Sequence, residues 1–452
     1  MALWFASALM PEGWRDGVRL TLRSGPIATV ETGVAATPAD ERHSVAIPGL
    51  CNLHSHAFQR SIAGLGERRG PTADSFWTWR EAMYRSLDRM TPEDMQAIAE
   101  LAFAEMLEAG FTRVGEFHYV HNDRDGSPYG NLGELTDRIC AAAHETGIGL
   151  TLLPVFYAHA SFGGVPPTHG QRRFISSTTG FANLVAHARR ATAALPGANV
   201  GIAPHSLRAV TPEELREILP LAEGGPVHIH AAEQTREVED CLAFSGKRPV
   251  EWLLDNAPVD SRWCLIHATH MTEGETAALA RAGAVAGLCP ITEANLGDGV
   301  FPAEAFRAAG GQFGVGTDSN IRIDAAGELM ALEYAQRLTN RARNVLADGP
   351  GASTGRSLFD AALAGGAQAL GQPEPGFFEG APADIVGLGI DCADLAPAER
   401  GDALLDRWIF ASRRSLIDSV WRNGVQVVAG GRHVRRDAIV RGYRETLKRL
   451  LA

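Results

Sequence analysis

Leu53-His54-Ser55-His56 closes an apolar run, Val45-Ala46-Ile47-Pro48-Gly49-Leu50. Side chains at i and i+2 of a strand point the same way. His54 and His56 would therefore aim two imidazoles at one point beyond the strand, which is half of a zinc site. Candidates for the other half stand downstream: His228-Ile229-His230-Ala231-Ala232-Glu233, His267 and Asp318. Imidazole and carboxylate donors suit Zn²⁺, with Fe²⁺ or another divalent ion as alternatives. Three histidines and one aspartate would leave a fifth position for water, whose pKa the ion lowers toward neutrality. A second metal usually needs a bridging carboxylate or a modified lysine. No lysine sits at the candidate strand ends, so the site reads as mononuclear. His228 and His230 share a face, and spacing leaves both open as ligands. Glu233 would lie just past its strand, placed to shuttle a proton between water and leaving group. Its bland alternative is a helix-start or solvated loop carboxylate.

The elements that must position these residues follow from periodicity. Residues 3–9, 17–22 and 27–31 predict short strands separated by Pro11-Glu12-Gly13 and Ser24-Gly25-Pro26 turns. Beyond residue 45, apolar strands alternate with amphipathic helices. Thr91-Pro92-Glu93-Asp94 and Thr211-Pro212-Glu213-Glu214 each open a helix, with Thr as N-cap and Pro in the first turn; Gly110 ends the first of them. Seven strands are predicted at 112–120, 148–158, 200–205, 227–231, 264–270, 285–290 and 313–318. The strand ending near His56 makes eight. Eight strands alternating with helices predict a parallel (β/α)8 TIM-like barrel. His54 and His56 end the first strand, His230 the fifth, His267 the sixth and Asp318 the eighth. That is the face where such barrels carry their active sites. A lone histidine on a strand is more often a satisfied core residue; four coincidences favour a metal site. Residues 159–180 form a polar insertion with the composition of a lid or binding loop. From about residue 380 short strands return, at 384–390, 419–421 and 425–428, before a terminal helix, 436–451. The expected organisation is a small β-sandwich domain from 1–45 and 380–452 flanking a catalytic barrel at 46–379.

Composition narrows the partners. With 45% hydrophobic and 21% charged residues the chain reads as an α/β globular protein. A net charge of −11 argues against nucleic acid as a partner. No apolar run reaches the length of a membrane span. Residues 1–10 could pass for a signal peptide, but no Lys or Arg precedes Arg15, so an apolar first strand is expected. Six scattered cysteines (51, 140, 241, 264, 289 and 392) form no Cys-x-x-Cys pair and fit a reduced, cytoplasmic protein. Motifs for phosphate binding, a serine nucleophile elbow and a metalloprotease helix are absent.

Longer stretches carry a resemblance. They include Asn52-Leu53-His54-Ser55-His56-Ala57-Phe58-Gln59-Arg60, Ser75-Phe76-Trp77-Thr78-Trp79-Arg80, Glu116-Phe117-His118-Tyr119-Val120-His121 and His205-Ser206-Leu207-Arg208. His230-Ala231-Ala232-Glu233-Gln234, Thr292-Glu293-Ala294-Asn295-Leu296-Gly297-Asp298-Gly299 and Gly316-Thr317-Asp318-Ser319 continue it over nearly the whole chain. In these the sequence resembles the mononuclear deaminases of the amidohydrolase superfamily, and among them the N-formimino-L-glutamate deiminases of histidine degradation. The resemblance implies that His54, His56, His230 and Asp318 hold Zn²⁺, so it chooses His230 over His228. It implies catalytic roles for Glu233 and His267 and a substrate pocket lined by Gln59, Arg80, Tyr119, His205 and Arg208. It also suggests a homodimer. Asn320 stands where relatives are expected to have histidine, and no role is assigned to it.

The implied substrate is a small dianion, and arginine forks are natural partners for carboxylates. A lone arginine is more often a solvated surface residue, but Arg80 follows an aromatic stretch that suits a pocket wall. The implied reaction is attack of metal-activated water on the formimino carbon. His267 and Asp318 would assist deprotonation, and Glu233 would pass a proton to the departing ammonia. His267 could instead stabilise the tetrahedral intermediate. The alternatives are a deaminase of guanine, cytosine or adenosine-like compounds, or a non-catalytic zinc-binding scaffold.

Overall fold

The computed structural model describes residues 1–67, 69, 76–389, 400–412 and 416–452. Ser75, Ile390 and Cys392 of the sequence reading lie outside them. The two chain ends share one sheet. Ala2–Met10 pairs antiparallel with Gly13–Leu22, which pairs with Ile27–Glu31. On its other edge Ala2–Met10 runs parallel to Glu41–Pro48. Glu41–Pro48 in turn pairs antiparallel with Ile385–Leu388, joining the N-terminal strands to the C-terminal ones. Ile417–Arg422, Val425–Ala429 and Arg432–His433 complete eight strands. The small β domain expected from the two chain ends is hydrogen-bonded through all eight strands, Glu41–Pro48 using both of its edges. Alternation places Leu3, Phe5, Val18 and Leu20 in an apolar cluster with Phe377, Ile385 and Trp421.

Pro48 and Gly49 carry the chain out of this sheet into the barrel. A Cβ at Gly49 would lie 2.2 Å from Thr112 Cγ2, so no larger residue fits the crossing. The barrel strands are Leu50–Ser55, Phe111–His118, Gly149–Phe156, a broken fourth strand (Asn199–Val200 and Ala203–Pro204), Val227–Ala231, Trp263–His267, Val285–Leu288 and Gln312–Val315. All ladder pairs between them are parallel. The expected uninterrupted fourth strand is split at Gly201, where the Pro226 carbonyl presses to 2.3 Å from a would-be Cβ.

The barrel closes where the chemistry lies. A parallel bridge joins Ser55 to Asp318, and another joins Ser206 to His230. His54 O accepts from Asp318 N–H at 2.9 Å, and His56 N–H donates to Asp318 O at 2.9 Å. The outer helices start as the sequence predicts: Thr91 and Thr211 each form a capping box ahead of a first-turn proline. The insertion 159–180 is fastened rather than loose. Buried Arg173 donates from Nε to Asn122 O and from Nη1 to Leu87 O and Met90 O, at the end of the helix Phe76–Leu87 that carries Arg80. Among the described residues no helix is long and apolar enough to cross a membrane, and five buried cysteines are free.

Candidate metal centre and adjoining pocket

His54 sits on the first barrel strand and His56 just past its end; His230 is the fourth residue of Val227–Ala231. Asp318 lies three residues beyond Gln312–Val315, with φ 42°. All four are buried, and one donor atom from each falls within 4.8 Å of the others. His54 Nε2 is 3.2 Å from His56 Nε2 and 3.1 Å from His230 Nε2. Asp318 Oδ1 lies 3.5 Å from His54 Nε2 and 3.3 Å from His56 Nε2.

The outer ring nitrogens say what such a knot can hold. His56 Nδ1 is 3.0 Å from Phe117 O and His230 Nδ1 is 3.0 Å from His205 O. A carbonyl oxygen only accepts, so both Nδ1 atoms carry the proton. Burial pushes the pKa of His54, His56 and His230 below the ordinary histidine value, keeping the rings neutral. The Nε2 lone pairs of His56 and His230 therefore converge with a carboxylate oxygen on His54. Lone pairs packed at hydrogen-bond distance with too few protons between them suit a divalent cation of the imidazole–carboxylate class.

His228 does not join them: its Nε2 hydrogen-bonds Ala369 O at 2.7 Å, one layer deeper in the barrel. Cys289 also comes near His267 and Asp318. Burial pushes its thiol well above the ordinary range, so it is a poor thiolate donor.

Beside the quartet stand His267 and Glu233. His267 ends its strand with φ 68°, and its Nε2 lies 3.8 Å from Glu233 Oε1 and 3.9 Å from Asp318 Oδ2. Burial alone would lower the His267 pKa. The Glu233 charge, the Glu293 hydrogen bond and Asp318 outweigh it and raise the pKa to about 10. Burial raises Glu233 to about 7, against the pull of His267 and Arg208. Arg208 Nη2 is 3.7 Å from Glu233 Oε2.

One cavity gathers the five expected pocket residues, Gln59, Arg80, Tyr119, His205 and Arg208, with His56, His230, Glu233, His267 and Asp318. Trp79, Met83, Tyr84, Tyr157, Phe174 and Leu296 complete its wall. Gln59 Nε2 donates to Tyr119 OH at 2.8 Å, and its buried Oε1 has no hydrogen-bond partner among the described residues. Arg80 lies over the Tyr84 ring at 5.7 Å. Burial, then the Arg208 charge, keep His205 neutral.

Three residues near the site were given no role by the sequence reading. Glu237 accepts from Ala232 N–H at 3.3 Å and Glu233 N–H at 3.1 Å, bracing the turn that presents Glu233. Asn320 is fully buried with φ 53° and donates to Ser55 Oγ, His56 O and Asp318 O, clasping the barrel seam. Glu293 accepts from His267 Nδ1 at 3.2 Å. The sequence signals for them are position, with Glu237 and Glu293 in the first turns of their helices and Asn320 two residues past a proposed ligand, and for Glu293 its place in the 292–299 stretch that carries the resemblance.

Residues 45–427 match the amidohydrolase family, and residues 2–44 match the N-terminal domain of the formimidoylglutamate deiminase HutF. Formimidoylglutamate deiminase of Pseudomonas aeruginosa is 49% identical over 100% of this chain and 99% of its own. A 5-methylthioadenosine/S-adenosylhomocysteine deaminase of Natronomonas pharaonis is 27% identical, over 90% of this chain and 87% of its own. The solved amidohydrolase from Brucella melitensis superimposes with a TM-score of 0.97 at 56% identity, covering all of both chains. A zinc-bound adenosine deaminase from Xanthomonas campestris shares the fold, with a TM-score of 0.83 at 22% identity over 100% of this chain and 98% of its own.

Proposed function

The chain belongs to the amidohydrolase family, and on that premise we propose that it hydrolyses N-formimino-L-glutamate to N-formyl-L-glutamate and ammonia. The observation that carries this reading is one cavity lined both by His56, His230 and Asp318 of the quartet and by Arg80 and Arg208. A small substrate with two carboxylates and an electrophilic amidine carbon matches that pairing. The full-length likeness to the Pseudomonas aeruginosa deiminase supports the same substrate.

The ion we infer is Zn²⁺, on the chemistry of three imidazoles and one carboxylate. Bound to the quartet, such an ion supplies hydroxide from water near neutral pH. Arg80 and Arg208 bind the substrate carboxylates, while Gln59, Tyr119 and His205 orient the chain between them. Asp318 takes up the proton released by the attacking water. His267, with Nε2 facing Glu233 and Asp318, hydrogen-bonds the oxygen of the tetrahedral adduct. Burial raises the Glu233 carboxyl above its ordinary range, and from its place beside His267 it delivers a proton to the departing nitrogen. The aromatic wall excludes bulk water from these transfers.

Buried free thiols support a cytoplasmic setting. A homodimer rests on the family resemblance, and light scattering of the purified protein tests it. The decisive assay is ammonia release from N-formimino-L-glutamate, with N-guanidino-L-glutarate and guanine as comparators. Turnover of the first is expected; turnover of guanine alone would overturn the substrate assignment and leave the metal centre standing.

A further inference from the structure

We propose that Glu293 is the positioning residue of His267, holding the imidazole by Nδ1–H so that Nε2 faces the reacting atoms. This rests on the catalytic reading of the site given above. His267 Nδ1 lies 3.2 Å from Glu293 Oε1. A carboxylate oxygen only accepts, so Nδ1 carries a proton and Nε2 is the edge left for chemistry. That edge is the one near Glu233 Oε1 and Asp318 Oδ2.

Glu293 is itself held. It is buried, and the same Oε1 accepts from the Cys289 N–H at 2.9 Å, one turn back at the start of the helix Pro290–Leu296. His267 is held at its root as well. Its left-handed φ of 68° turns the chain, and the next residue, Ala268, donates to Ala231 O at 3.0 Å. The ring is thus pinned at the backbone and at its outer nitrogen. Glu293 stands outside the converging metal quartet, so its contribution is direction and tautomer of a neighbouring ring rather than ligation.

Two substitutions separate this role from plain structural support. Glu293→Ala removes the acceptor, whereas Glu293→Gln keeps an amide oxygen able to accept from both Nδ1–H and Cys289 N–H. In Glu293→Ala, kcat should fall about 10- to 100-fold, the range for partners that orient active-site groups. KM and bound metal should stay unchanged. Glu293→Gln should restore most of kcat. Full kcat in the alanine variant, or a loss that comes with lost metal or a raised KM, overturns the proposal. If the alanine variant does not fold, ¹⁵N NMR of histidine-labelled, unsubstituted zinc enzyme decides. A proton on His267 Nδ1 supports the proposal and a bare Nδ1 overturns it. Absence of ammonia release by the unsubstituted enzyme would instead count against the functional reading, and the NMR measurement would still test the ring's placement.

Discussion

The barrel mouth and the eight-stranded sheet are built on opposite terms. In the sheet, Leu3, Phe5, Val18, Leu20 and Trp421 pack as an apolar cluster, and the left-handed residues nearby, Ser24 and Asn423, sit in turns. At the mouth, Ala232, His267, Ala268, Asp318 and Asn320 all have positive φ at the ends of the fifth, sixth and eighth strands. Each left-handed non-glycine residue costs about 1–2 kcal/mol. The same region buries Glu116, Glu233, Glu237, Glu293 and Glu328. One region therefore stabilises the fold, and the other spends stability on the direction of a few side chains.

Substitutions at the mouth should be read in activity, and those in the sheet in stability. The largest effect is expected at the quartet. His230→Ala should lose metal and lower turnover by about a thousandfold or more, since metal activation shifts the pKa of water from 15.7 to about 7. Metal analysis beside the ammonia assay checks this, and chelation of the unsubstituted enzyme should give the same loss, reversed by added Zn²⁺. Glu233→Gln should keep metal and lower kcat by about 10²–10⁴, the usual worth of a positioned acid–base group. Retained turnover there would remove Glu233 from the mechanism.

The sheet should answer differently. Phe5→Ala, at a fully buried position, should cost about 3–5 kcal/mol in chemical denaturation. The protein that remains folded should keep its kcat and KM. A large change in KM would break the separation of the two regions. Arg208→Met should raise KM by about tenfold or more, the worth of a lost hydrogen bond to a charged group, while metal content stays. Uncharged comparator substrates should lose less.

The last comparison concerns the stability cost of the mouth. Burial pushes Glu116 up to about 8, with its carboxyl accepting from Ala57 N–H at 2.7 Å. A carboxyl raised above its unfolded value makes the folded state bind an extra proton. Its contribution is complete below the unfolded pKa and is lost as pH rises through about 8. Between these limits the unsubstituted protein should lose up to about 1.4 kcal/mol per pH unit from this group. Glu116→Gln, which keeps the acceptor, should flatten that dependence. An identical pH slope in the two proteins would show that Glu116 ionises freely in the fold.

Much of this was legible in the residues. The alternation of apolar strands with capped helices set the barrel. Period-two spacing placed His54 with His56, and strand ends collected His230, His267 and Asp318. These are local properties: strand periodicity and helix capping depend on neighbours within a few residues. Long stretches such as 116–121 and 205–208 carried the family and, through it, the pocket residues that line the cavity.

Only the tertiary structure decided the rest, because it depends on which strand lies beside which and at what height. His228 and His230 share a face, and the stagger of neighbouring elements sends one to Ala369 O and the other to His54. At Gly201, in the break of the fourth strand, Pro226 O comes so near that a side chain would not fit. Asn320 clasps His56 and Asp318 from opposite sides of the barrel seam, 264 and 2 residues away in sequence. Glu293 meets His267 across 26 residues. Sequence by itself determined which donor atoms exist and which strand ends bear them. Closure of the barrel decided which of them converge and which carboxylates hold them in place, since only closure brings the first strand against the eighth.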